Sequence, residues 1–76
     1  MKIFVTAKEK VVKDTREIES ITYNGKTYMV DWSCPIGLGQ VDNDIVSYLY
    51  FLCRIGKREF KLYCVKPDEE YFIIKK

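Results

Sequence analysis

The chain contains no histidine. That removes the commonest general base at neutral pH, the usual partner of a nucleophilic Ser or Cys, and the commonest metal ligand. Its three cysteines, Cys34, Cys53 and Cys64, include no Cys-x-x-Cys pair, which leaves no ligand set for a zinc site. An odd number of thiols without a dense framework argues against a secreted disulfide scaffold. Cys53 and Cys64 are instead expected as core thiols on neighbouring strands. No apolar run approaches the ~20 residues needed to span a bilayer. The apolar start Ile3-Phe4-Val5 stops at Lys8-Glu9-Lys10, too soon for a signal-peptide core. The expected location is the cytoplasm. A strong charge of one sign is missing too, since the net charge is +2, although residues 1–16 and 54–66 lean basic and residues 31–44 lean acidic.

What is present is a β pattern. A chain of 76 residues makes one domain, spanning 1–76, and buries roughly 60% of the surface its unfolded form would expose. Residues 2–7 alternate as a first strand, and residues 8–16 read as a charged loop or an extended arm with Val11 and Val12 pinned to the body. Glu17 to Tyr23 and Lys26 to Trp32 form the clearest hairpin. Asn24-Gly25 between them tolerates positive φ at both central positions, as a type I′ turn demands. Ser33 to Asn43, broken by Pro35, Gly37 and Gly39, reads as a long loop, and long loops are often functional.

Residues 45–55 are apolar throughout. A helix here, capped by Asp44 and Gly56, is the minority alternative and makes the fold α+β. The β-branched and aromatic content favours a strand, and so does the impossibility of covering an all-apolar helix with so little chain. Gly56-Lys57 suits a type II′ turn into a strand whose Phe60, Leu62 and Cys64 face inward while Lys61 and Tyr63 face out. Pro67 starts a type I turn into the strand that follows. The expected fold is an all-β antiparallel sheet or partly closed barrel of five to six strands, of SH3-like or OB-like size.

Little in this pattern supports catalysis. Gly37-Leu38-Gly39 lacks the remaining elements of a phosphate loop. Asp31, Asp42 and Asp44 lack the Gly and distal Glu of a calcium loop. Asp68, Glu69 and Glu70 lie on a turn tip, away from any deep pocket. No enzyme activity, metal or cofactor is expected.

The remaining candidate is a surface. Trp32, Tyr48, Tyr50, Tyr63 and Tyr71 supply more aromatic area than a small core needs, and such residues make protein–protein hot spots. Arg54, Lys57, Arg58 and Lys61 lie beside some of them. Basic residues interleaved with aromatics on a sheet also hold single-stranded nucleic acid. In its small size, its richness in Lys, Tyr and Ile and its lack of His, the chain is similar to small accessory proteins of phages and mobile elements of AT-rich bacteria. That resemblance of style implies attachment to a host or defence protein. The leading expectation is therefore a protein-binding regulator or inhibitor using the aromatic face and the 33–43 loop. A single-stranded nucleic-acid binder using the 54–61 hairpin is the first alternative. A structural subunit that dimerises through an edge strand such as 71–75 is the second.

Overall fold

A computed structural model describes residues 1–41 and 43–75. The chain is all-β, and no helix occurs among the described residues. The strands are β1 (Lys2–Val12), β2 (Thr15–Tyr23), β3 (Lys26–Met29), β4 (Trp32–Gln40), β5 (Ser47–Ile55), β6 (Arg58–Lys66) and β7 (Glu70–Ile74). They form one sheet in the order β3-β2-β1-β7-β6-β5-β4, with every pair antiparallel. The sheet curls into a half-barrel of seven strands rather than five or six.

The additional strand comes mainly from residues 33–43, expected as a loop. Most of that segment is β4, which ends the sheet. An edge strand needs hydrogen bonds on one side only, so Pro35, which has no N–H, is tolerated there. A register shift between Pro35 and Gly37 takes up the irregularity. Gly37 takes a φ of 147°, a value L side chains rarely adopt.

The second correction lies at residues 8–16. β1 runs on to Val12 and β2 begins at Thr15, joined by Lys13 and Asp14 at φ values of 51° and 67°. Two non-glycine residues here adopt the primed turn that matches strand twist. Val11 is 71% exposed, so this hairpin projects and is not pinned by Val11.

Elsewhere the turn chemistry follows the sequence. Asn24 and Gly25 both have positive φ, at 51° and 77°. Gly56 has a φ of 61° at the first central position of the β5–β6 turn. The β6–β7 turn differs from the expected type I. Asp68 takes a φ of 62° behind Pro67, and Glu69 N donates to Lys66 O at 3.1 Å, which is the type II pattern of φ. Residues 47–55 are strand, so the helix alternative is excluded. β7 lies between β1 and β6, so 71–75 is not an edge; the sheet ends at β3 and β4.

β3 and β4 are joined at a corner, and the chain changes partners there. Val30 N donates to Glu19 O on β2 at 3.0 Å, and Asp31 N donates to Arg54 O on β5 at 2.9 Å. Just beyond, the buried Ser33 hydroxyl accepts from Ile18 N at 2.8 Å, which draws β4 toward β2. The concave side holds the main core of Val5, Ala7, Ile18, Ile21, Phe51, Cys53, Leu62, Cys64 and Tyr71. Burying each large side chain contributes about 1.5–3 kcal/mol. Cys53 pairs in register with Phe60, and Cys64 with Leu49, so the two thiols are offset along the ladder; both are free.

Candidate functional site

Strand alternation sends the neighbours of the core residues to the convex side, where register builds a row of rings across four strands. Phe4 pairs with Phe72, Phe72 with Tyr63, and Tyr63 with Tyr50. Ring centroids along this row are 5.7, 5.1 and 5.3 Å apart, within the range of favourable aromatic pairs. Tyr48 meets Phe72 edge-on at 5.0 Å. The row ends against β4 at two glycines. Gly37 stands opposite Tyr50, and a Cβ placed on Gly39 lies 3.0 Å from Tyr50 Cε1. Val41, directly after β4, is buried against the row.

Of the expected aromatic residues, Tyr48, Tyr50 and Tyr63 come together here. Tyr63 is buried, and Tyr48 and Tyr50 are half-buried. Trp32 lies at the far end of β4 on the same convex side, with the Arg54 guanidinium 5.2 Å from its ring. Tyr71 is not part of this face. It is 0% exposed, on the concave side. Phe4, Phe72 and Lys2 also belong to the row, although the sequence does not single them out. Their one signal is the alternation of β1 and β7, where both parities are apolar.

Lys2 anchors one corner. Its Nζ lies 4.9 Å from the Phe72 centroid and pairs with Asp44 at 2.7 Å. The Tyr48 hydroxyl also donates to Asp44, at 3.0 Å. The hydrogen bond from Lys2 holds the Asp44 carboxyl below its ordinary range, and the same bond raises the Lys2 ammonium.

The four basic candidates divide. Arg54 and Lys61 are on the convex side. Arg54 is paired with Glu59 at 3.0 Å, and Lys61 Nζ is 5.5 Å from the Tyr50 ring. Lys57 is on the β5–β6 turn, and Arg58 lines the mouth of the half-barrel. Asp42, one of the carboxylates considered for a cation, is outside the described residues. Among those described, no group of three His, Cys, Asp or Glu side chains is placed to hold a metal ion. Asp31 instead holds a turn in place, its Oδ2 accepting from Gly56 N at 2.7 Å. Asp68 acts likewise, with its Oδ1 accepting from Glu9 N at 2.7 Å.

The latter contact belongs to a polar network that closes one end of the half-barrel. Arg16 forks onto both Glu9 oxygens at 2.6 and 2.7 Å, and the Glu9 side chain is only 8% exposed. The Tyr71 hydroxyl donates to Glu9 and accepts from Asp68 N, the latter at 3.0 Å. Arg16 also covers the Phe51 ring at 5.5 Å. Burial, and then the bond to Glu9, pushes the Tyr71 phenol well above its usual range. Burial pushes the Cys53 thiol up to about 12.

Exposed apolar side chains run along and beside β4. Ile36 is 51% exposed and Leu38 72%, with Trp32, Ile45 and Val46 also exposed. Trp32–Gln40 contains no charged residue at all, whereas β3 at the opposite edge is four residues long and begins with Lys26. No protein-family model, curated protein or solved structure matches this chain.

Proposed function

We propose that the chain is a non-enzymatic module that binds another protein, as a regulator or inhibitor, through the edge of β4 and the adjoining aromatic row. One observation carries this reading: β4 is a nine-residue edge strand without a charge. Edge strands expose unpaired backbone groups, and proteins ordinarily blunt them with lysine, proline or bulges to prevent pairing with other chains. Here Pro35 and the bulge before Gly37 blunt the first half only. Ile36 at the bulge and Leu38 beyond it are exposed along backbone that ends the sheet. An extended segment of a partner added along residues 36–40 gains main-chain hydrogen bonds from the edge and specificity from alternate side chains. Tyr48 and Tyr50, half-buried on the next strand, offer rigid aromatic area beside it.

The test uses the chain as bait for interacting proteins, with Leu38→Lys and, as an edge control, Thr27→Lys on β3. The reading requires a partner retained by wild type and Thr27→Lys and lost by Leu38→Lys. Retention of every partner by Leu38→Lys sinks it. Sedimentation at increasing concentration shows whether a second copy occupies the same edge.

A second reading rests on the cation–ring pairs Arg54–Trp32 and Lys61–Tyr50, which together present charge and stacking surface on one side of the sheet. It requires single-stranded DNA or RNA binding that weakens steeply with salt and is lost in Arg54→Glu/Lys61→Glu. Binding that is flat with salt removes it.

A further inference from the structure

Opposite the end closed by Glu9 and Arg16, the half-barrel is open, and the opening holds a cleft of about 590 Å³. That lies within the roughly 300–1,000 Å³ range of small-molecule sites, for which the mouths of β-barrels are a recurring location. The cleft follows from the incomplete curl of the sheet. The β2–β3 and β5–β6 hairpins stand apart at this end, so the core is not roofed. Val5 and Ile21, both buried, form the floor, with Phe60 and Ile73 on the walls. Tyr23 and Tyr28 bring phenol rings to the rim.

Among the described residues, only two charged side chains line the cleft, Arg58 and Glu59. Glu59 is engaged by Arg54 on the convex side, at 3.0 Å. Arg58 forms no ion pair among the described residues. An apolar cavity with one uncompensated guanidinium at its rim is complementary to a ligand with an aliphatic body and a single anionic end. The rim is also held in place. Asp31 accepts from Gly56 N and donates its own N–H to Arg54 O, which fixes the turn carrying Arg58 against the β3–β4 corner. A site fixed beforehand loses less affinity to ordering.

We propose that this cleft binds a medium-chain fatty acid, its alkyl chain against Val5, Ile21, Phe60 and Ile73 and its carboxylate on Arg58. An alkyl chain suits the cleft better than a peptide. The isoleucine, valine and phenylalanine walls offer no side-chain partner to a peptide's N–H and C=O groups, which are costly to bury unpaired. The site is separate from the β4 edge, so its failure and the failure of the protein-binding reading are distinguishable.

The test is an NMR titration of the labelled protein with decanoate below its micelle concentration, followed at the isoleucine methyls. The expected result is saturable binding with the largest shifts at Ile3, Ile21 and Ile73. Arg58→Gln is expected to weaken it about tenfold, the size of a lost charged hydrogen bond. Decanol, which has no charge, is expected to bind about tenfold more weakly than decanoate. Lys10→Gln, at the opposite end, is expected to leave the affinity unchanged. Absence of saturable shifts overturns the proposal, as do shifts centred on Ile36. Unchanged decanoate affinity in Arg58→Gln overturns the carboxylate assignment, and so does equally tight binding of an apolar peptide with both termini blocked.

Discussion

At one end of the half-barrel Glu9, Arg16, Tyr71 and Asp68 close the interior with charge and hydrogen bonds. At the other, Ile3, Phe60 and Ile73 leave apolar surface facing water. Both ends belong to the same strands, since Tyr71 and Ile73 are two residues apart on β7 and Ile3 and Glu9 share β1. The difference shows where a small sheet places its stability. A network satisfied on every side rigidifies the end it occupies, whereas a cleft of partly exposed aliphatic side chains contributes less burial and leaves room for something else.

The widest contrast comes from two phenylalanines. Phe51, fully buried under the Arg16 guanidinium, is expected to cost about 3–5 kcal/mol when replaced by alanine. Phe60, half-buried in the mouth, is expected to cost about 1–2 kcal/mol, because much of its surface already meets solvent. Urea unfolding followed by circular dichroism measures both, and equal losses abolish the distinction between the ends.

Next in size is Glu9→Ala, which strips the acceptor from Arg16 and from the Tyr71 hydroxyl. Breaking a buried pair costs about 3–5 kcal/mol; with Arg16 part-exposed, about 2–3 kcal/mol is expected here. The double variant Glu9→Leu/Arg16→Met is expected to recover most of that loss, since an apolar pair of similar size often replaces a buried ion pair without penalty.

Tyr71→Phe removes one hydroxyl from the same network and is expected to cost about 1–2 kcal/mol. It also sharpens a pH effect. Burial raises the folded-state pKa of Tyr71, Cys53 and Cys64 above ordinary values. Groups raised in this way contribute stability that is whole below their unfolded pKa and is lost as pH climbs beyond it. The melting temperature is therefore expected to fall from about pH 8.5, where unfolded thiols ionise, and more steeply past about pH 10, where the unfolded phenol does. Tyr71→Phe is expected to blunt the second decline. A melting temperature that is flat from pH 8 to 11 contradicts the assignment.

The smallest effect belongs to Arg58→Ala, expected within about 0.5 kcal/mol of wild type because the exposed side chain makes no ion pair among the described residues. A large loss places Arg58 in the fold's own stability rather than at a ligand's disposal.

Much of this architecture is legible in the residues. Asn24-Gly25 and Gly56-Lys57 announce their hairpins because glycine and asparagine are the residues that tolerate positive φ. Alternation places Phe60, Leu62 and Cys64 inward and Tyr63 outward. β4 is hidden because Pro35, Gly37 and Gly39 signal irregularity, and only the sheet's order reveals that this strand is an edge where they are tolerated. The β1–β2 turn is hidden because Lys13-Asp14 carries no turn signature; tertiary pairing imposes it. Tyr71 reads as part of the aromatic surface because Tyr71-Phe72-Ile73-Ile74 is apolar at both parities, so sequence alone does not say which side faces the core. The Glu9–Arg16 pair joins residues across a turn that is itself unmarked. The mouth is a gap between two hairpins, a property of curvature that no single segment encodes.

The pairing of Lys2 with Ile74 has a consequence for how the molecule comes into being. β1 is an interior strand, and one of its two flanks is completed by β7, which follows the other six strands in sequence. During synthesis β1 therefore waits, with its Lys2–Val5 flank open, until β2 to β6 have been made. Contacts this distant in sequence are slow to close, and an open strand flank invites pairing with neighbouring chains. The interval between translation of β1 and arrival of β7 is thus one in which an interior strand of the finished sheet is, for a time, an edge.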